Sequence, residues 1–175
     1  MFVHLAVDVV KLLHMEIREL AASDWEAVKT IYEQGIATGN ATFQTSAPAW
    51  EEWDIAHLGN CRIVGLENGK VIGWAALTPV SSRCVYAGVA EVSVYIDPEH
   101  SGKGYGLEIL TRLIHLSEAA GIWTLQAGIF PENAASVRIH EKAGFRILGR
   151  REKIGKQQGV WRDTLLLERR SQLIY

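Results

Sequence analysis

An apolar, strand-like segment over residues 89–96 carries one acidic side chain, Glu91, and runs within a few residues into the glycine-rich turn Gly102-Lys103-Gly104-Tyr105-Gly106. The turn opens directly into an amphipathic helix over about 104–120, with Leu107, Leu110, Leu113, Ile114 and Ser117 along one side. Strand, tight turn and helix in that order require a layered α/β packing, because the helix must lay its apolar side back on the sheet that holds the strand. Free N–H groups at a helix N-terminus, with small residues around them, make a ready anion site. A carboxylate a few residues upstream then sits close to whatever that anion carries.

The rest of the chain fits a mixed domain. Residues 16–20 alternate as a short strand, and Ser23 with Glu26 gives a capping-box signature for a helix with Trp25, Val28, Ile31 and Tyr32 on one side, ending near Ile36. A polar loop over 37–47 holds Phe43, and Pro48 is placed for the first turn of a helix reaching Leu58. Strands at 62–66 and 71–77 are joined by Asn68-Gly69, a strong hairpin signal. Residues 123–129 read as a central strand, and 132–143 as a helix closed by Gly144. Residues 145–149 and 160–168 read as a terminal strand pair around a flexible connection at 153–159. The expected fold class is α/β (α+β), a mixed, mostly antiparallel sheet flanked by helices.

At 175 residues, 48% hydrophobic and 22% charged, the chain is long enough for one domain with a real core. A net charge of −2 gives no footprint for nucleic acid or an anionic membrane, and no apolar run is long enough to span a bilayer. Six histidines lack metal-ligand spacing, so no metal is expected. Cys61 and Cys84 lie in strand-like apolar runs and read as buried free thiols. The basic run at 150–153 reads as a solvated strand edge. Residues 1–14 lack a basic region ahead of their apolar stretch, so they read as an N-terminal extension rather than a signal peptide. The expected domain covers 15–170, with a tail at 171–175.

The glycine turn alone leaves several chemistries open. No Gly-Lys-Ser/Thr closes it, which excludes a Walker loop, and a turn placed mid-chain after a hairpin is a poor dinucleotide fingerprint. A pyrophosphate cradle carrying neither hydride nor transferable phosphate fits better, and coenzyme A meets that description. A tight turn that binds nothing is the plain alternative.

The segment 97–110 resembles the acetyl-CoA motif of the GNAT acetyltransferase superfamily, and Asn133-Ala-Ala-Ser136-Val-Arg-Ile-His140-Glu-Lys-Ala-Gly-Phe145 resembles its second signature. Four further pieces match the branch containing phosphinothricin and methionine sulfoximine acetyltransferases: Asn40-Ala-Thr-Phe43-Gln-Thr, Arg83-Cys-Val-Tyr86 through Glu91-Val-Ser-Val-Tyr95, Ser136-Val-Arg-Ile-His140-Glu, and Gly159-Val-Trp161-Arg-Asp163. They occur in order over about 15–170. The superfamily usually carries Arg or Gln where this chain has Ser101, and Lys103 could supply some of that charge.

The resemblance implies a GNAT fold and an enzyme that uses acetyl-CoA as co-substrate without a metal. It implies that Gly102, Lys103, Gly104, Tyr105, Gly106 and Leu107 hold the pyrophosphate, that Val94, Tyr95 and Ile96 pair with the pantetheine arm, and that Asn133 contacts the same arm. Glu91 would be the general base, since a protonated amine attacks no thioester until it loses a proton. His140 stands where many members place a tyrosine acid, so it could protonate the departing thiolate or serve as a second base. Arg83 would clamp a substrate carboxylate beside Phe43, Tyr86, Val92 and Ser93. Transfer would be direct, through a tetrahedral intermediate whose oxyanion a backbone N–H of the Glu91 strand stabilises.

The expected partner is a small amino-acid-like amine, in a cytoplasmic homodimer that binds neither nucleic acid nor membrane. A GNAT enzyme for another amine (a polyamine, an aminoglycoside or a protein N-terminus) and a non-catalytic acyl-CoA sensor remain the alternatives. A chain starting at Met15 is expected to be produced in soluble, active form; loss of soluble or active protein on deleting 1–14 would refute the dispensable-extension reading.

Overall fold

The computed structural model describes residues 15–175, so the expected extension at 1–14 lies outside the described residues. One seven-stranded sheet runs through the domain: β1 (Glu16–Glu19), β2 (Arg62–Glu67), β3 (Lys70–Pro79), β4 (Val89–Ile96), β5 (Thr124–Ile129), β6 (Arg146–Gln157) and β7 (Val160–Arg170). Their spatial order is β1-β2-β3-β4-β5-β7-β6. Every pairing is antiparallel except β4 with β5, so the expected mixed, mostly antiparallel sheet is what forms. Helices α1 (Trp25–Ala37), α2 (Trp50–Ala56), α3 (Tyr105–Ala119) and α4 (Ala134–Lys142) cover it.

The middle of the sheet is buried on both faces, which is why β3 reads as an unbroken apolar run rather than an alternating one. Ile72, Ala75 and Leu77 pack with Ile109, Leu110, Leu113 and Ile114 of α3. Trp74 and Ala76, pointing the other way, pack with Trp25, Val28 and Ile31 of α1 and with Trp53 of α2. The buried side of α3 is Tyr105, Ile109, Leu110, Leu113, Ile114 and Ser117; Leu107 is rotated off it toward a cleft.

Several local expectations need correction. Ser23 does not cap α1: residues Ala22–Asp24 form a short 3-10 turn, and the Asp24 carboxylate accepts from Ala21 N at 2.8 Å while pairing with Arg18 at 2.7 Å. Helix α2 begins at Trp50 with Ala49 as its N-cap, so Pro48 stands before the helix rather than in its first turn. Cys61 is buried but Cys84 is exposed, because Cys84–Tyr86 is a 3-10 turn rather than strand. Residues 153–159 are not a flexible connection. Strand β6 continues to Gln157 and turns into β7 through Gln158-Gly159, both at positive φ (47° and 84°), the geometry that Asn68-Gly69 (52° and 78°) supplies between β2 and β3. Between Arg151 and Gly155 the β6 register slips, and the Asp163 carboxylate holds the bulge by accepting from Lys153 N at 2.7 Å and Arg150 Nε at 2.6 Å.

Leu110 is fully buried between α3 and the sheet. Leu110→Ala should cost about 2–5 kcal/mol through lost transfer energy plus a cavity, read as a lowered urea midpoint with unchanged slope.

Candidate active site

The parallel ladder between β4 and β5 is short: Val89, Ala90 and Glu91 pair with Thr124, Leu125 and Gln126, and there the pairing stops. On its other edge β4 stays paired to β3 as far as Ile96. Beyond Glu91 the strands part, leaving one edge of β4 without a strand neighbour and opening a cleft of about 810 Å³. An open strand edge inside a fold must find other hydrogen-bond partners, and an extended chain bearing amides suits it. Val92, Ser93, Val94, Tyr95 and Ile96 line one wall, with Ala127 to Ile129 opposite.

At the far end stands the glycine turn. Gly102 and Gly104 have φ of 77° and 89°, conformations that L side chains rarely adopt, and Gly104 is the N-cap of the 15-residue helix α3. Gly102, Gly104, Tyr105, Gly106 and Leu107 line the cleft, whereas Lys103 is exposed and outside its lining. The turn is anchored from behind. His100 lies 3.2 Å from both Glu67 and the buried Asp97, and the Tyr105 hydroxyl donates to Glu67 at 2.5 Å. Glu67 is consequently held below the usual carboxylate range, chiefly by the Tyr105 hydrogen bond. Tyr105 therefore contributes a buried latch as well as a place on the turn.

The wall over residues 38–43 is held at Gly39 and Asn40 by Arg162, a residue with no marking signal in the sequence. Its guanidinium donates to Gly39 O at 3.0 Å, Asn40 Oδ1 at 2.8 Å, Gln157 Oε1 at 2.6 Å and Glu132 Oε2 at 3.2 Å, and it stacks over Phe130 at 4.2 Å. Phe43 packs edge-on against Phe130 at 4.8 Å, over Gly155, where a side-chain carbon would come within 2.7 Å of its ring. Asn133 caps α4 through Ser136 N at 3.1 Å and donates to Asn40 O at 3.2 Å, so both ends of its side chain are engaged within the protein. Tyr95, stacked on Trp74, is half-buried, and desolvation raises its pKa.

Glu91 stands where the two strands part. Its carboxylate reaches solvent through the cleft, yet the walls remove enough water for desolvation to raise its pKa, opposed by the charge of Arg151. His140, on α4, is buried against Phe145 at a centroid distance of 5.0 Å. Its Nδ1 lies 2.8 Å from the Ser136 carbonyl, which can only accept, so Nδ1 carries the proton. Nε2 is left as a buried acceptor with no partner among the described residues. Desolvation lowers the pKa and favours this neutral form.

Arg83 and Tyr86 are not brought into the cleft. They sit at an exposed turn beyond its wall, the guanidinium stacked on the ring at 5.5 Å. Of the basic run, Arg150, Glu152 and Lys153 are exposed as expected, but Arg151 is half-buried and turned inward, its Nε donating to Thr164 of the cleft wall at 3.1 Å. No sequence signal marked it, because one residue of register decides which face of β6 a side chain takes. No group of three or more metal-ligating side chains exists among the described residues.

Residues 16–145 match the acetyltransferase (GNAT) family. An L-methionine sulfoximine/L-methionine sulfone acetyltransferase of Salmonella typhimurium is 32% identical over 160 residues, covering 88% of this chain and 93% of that protein. A phosphinothricin N-acetyltransferase of Streptomyces viridochromogenes is 32% identical over 154 residues, covering 86% and 84%. The crystal structure of a GNAT superfamily phosphinothricin acetyltransferase of Sinorhizobium meliloti in complex with acetyl-CoA superimposes with a TM-score of 0.80 at 27% identity, covering 92% of this chain and 95% of that one.

Because His140 is held neutral when folded, its contribution to stability is full above the ordinary imidazole pKa and is lost as pH falls toward the folded value. Thermal stability of the wild type should therefore fall with acidification through that range, and His140→Gln should flatten the slope. Some slope remains through His57, which burial also holds neutral. An unchanged slope in the variant would contradict the assignment.

Proposed function

The chain belongs to the acetyltransferase (GNAT) family, and we propose that this acetyl-CoA-dependent N-acetyltransferase acylates the primary amine of a small amino-acid-like molecule of the phosphinothricin or methionine sulfoximine type, with Glu91 as general base. Acetyl-CoA supplies an activated acetyl thioester. The observation carrying the reading is a carboxylate lining the cleft at the point where β4 and β5 separate.

The chain's own residues divide the work. Backbone N–H groups of the turn at Gly102 to Leu107 would hold the pyrophosphate, with positive-φ glycines shaping a cradle in which no side chain intrudes. The open edge of β4 at Val94, Tyr95 and Ile96 would bond the pantetheine amides, and an N–H of the same strand would meet the developing oxyanion. Asn133, its side chain already engaged, would shape that wall rather than bond the arm directly. Glu91 takes the amine proton directly or through water. A raised pKa makes it a stronger base than an ordinary carboxylate.

His140 enters this scheme as an acceptor. With its proton on Nδ1, the unpartnered Nε2 would receive a hydrogen bond in the cleft, and delivering a proton to the leaving thiolate would first require protonating it. Phe43, Val92 and Ser93 line the amine end; Arg83 and Tyr86, on their outer turn, would act on substrate only at the entrance. A homodimer is proposed on the strength of β6, an edge strand whose hairpin with β7 exposes Ile147, Leu148, Ile154, Val160 and Trp161. Among the described residues no helix is long and apolar enough to cross a membrane, and a cytoplasmic location is proposed with the function.

Glu91→Gln should lower kcat by about 10²–10⁴-fold, the usual contribution of a positioned base, while acetyl-CoA affinity by calorimetry stays unchanged. The wild-type kcat/KM profile should fall on the acid side at a pH above the ordinary glutamate range, because Glu91 must be ionised to act and its pKa is raised. Full turnover in the variant would remove Glu91 from the mechanism.

A further inference from the structure

Arg151 is a half-buried cation of the β6–β7 hairpin, and among the described residues it forms no salt bridge. Arg146, Arg150, Arg162 and Arg169 each pair with a carboxylate: Glu168 at 3.2 Å, Asp163 at 2.6 Å, Glu132 at 3.2 Å and Glu118 at 2.9 Å. Arg151 has no carboxylate within 4 Å among the described residues, and its one hydrogen bond there is from Nε to the Thr164 hydroxyl. That bond fixes the plane of the guanidinium and leaves its terminal nitrogens free. A half-buried guanidinium without a direct ion pair carries a desolvation cost, and the Glu91 carboxylate acts on it only from beyond salt-bridge distance.

One of the free nitrogens, Nη2, lies against Gly128 of the cleft wall, beside Glu91. A side-chain carbon at Gly128, which lines the cleft, would lie 2.8 Å from Arg151 Nη2 and 4.0 Å from Glu91 Oε1. A base and a cation thus converge on the space above one glycine without forming an ion pair with each other. Such a pairing complements a molecule that bears an ammonium and a carboxylate on the same carbon.

We propose that Arg151 is a specificity-determining residue that receives the α-carboxylate of an amino-acid substrate, held over Gly128 while Glu91 faces the amine. The inference rests on the reading of Glu91 as the site of amine deprotonation, and it adds the requirement that the α-carboxylate be free. A guanidinium suits the task, since its forked N–H groups match the two carboxylate oxygens. The bulge held by Asp163 follows directly after Arg151 on β6, so this carboxylate contributes to the position of the strand that carries the cation.

Two acceptors separate the outcomes: L-methionine sulfone and its α-carboxamide, which keeps the amine and side chain but loses the anion. Steady-state kinetics of the full chain should show wild type preferring the acid. Arg151→Gln should raise KM for the acid by about tenfold or more, the scale of a charge-assisted hydrogen bond, with the KM for acetyl-CoA unchanged; any change in kcat through the lost charge near Glu91 should be shared by both acceptors, so the acid-to-carboxamide ratio of kcat/KM falls by that factor. Arg151→Lys should retain part of the preference. Equal losses on both acceptors, or a preference for the acid that survives Arg151→Gln, would overturn the role of Arg151 and leave the amino-acid reading intact. If wild type acetylates neither compound but does acetylate a polyamine, the amino-acid reading fails, and this proposal with it.

Discussion

The early end of the β4–β5 ladder is the feature on which the rest of the molecule depends. A parallel pair in the middle of a sheet ordinarily continues, because each unpaired N–H or C=O inside a fold costs free energy. Here pairing stops at Glu91 and Gln126, while β4 remains fixed to β3 on its other side. The result is a strand edge held rigid by one neighbour and exposed to a cleft by the other. Along that edge lie the carboxylate at its start, the glycine turn beyond its end, and the wall residues between.

Keeping a cleft open requires its walls to be supported from outside, and the structure does this with polar latches. Arg162 ties Gly39 and Asn40 to the end of β6 and to Glu132. Gln157 adds a bond to Thr42 O at 2.9 Å. The turn is fastened to the β2–β3 hairpin by the group of Glu67, His100, Asp97 and Tyr105. These contacts span large sequence separations and meet on partly buried groups, where hydrogen bonds to charge are worth more than on an open surface. Apolar packing by α1, α2 and α3 sets the sheet; polar bonds set the gap in it.

The legible parts of this fold were those written in local chemistry. Asn68-Gly69 specified its hairpin because both positions need positive φ, and the glycines at 102 and 104 marked the turn for the same reason. The resemblance to the GNAT acetyltransferases supplied the fold, the co-substrate and the enzyme class, each of which the comparisons bear out. What stayed hidden depends on register and tertiary contact. Gln158-Gly159 makes the same turn as Asn68-Gly69 from a weaker pair, so the strands beside it looked like a loose connection. Ser23 lost its cap to Asp24, whose carboxylate Arg18 holds in place. Arg151 sits in a basic run that looks solvated, and the strand register turns it inward.

The central claim is that the gap beside β4 is the place where an extended acyl carrier completes the sheet, with its phosphates on the turn and its acyl end at Glu91. A crystal structure of this chain with acetyl-CoA tests that most directly. The account predicts a pantetheine arm bonded to the open edge of β4, a pyrophosphate on the N–H groups of Gly102 to Leu107, and a thioester within reach of Glu91. Acetyl-CoA bound away from the β4 edge, or with its pyrophosphate off the glycine turn, would contradict it.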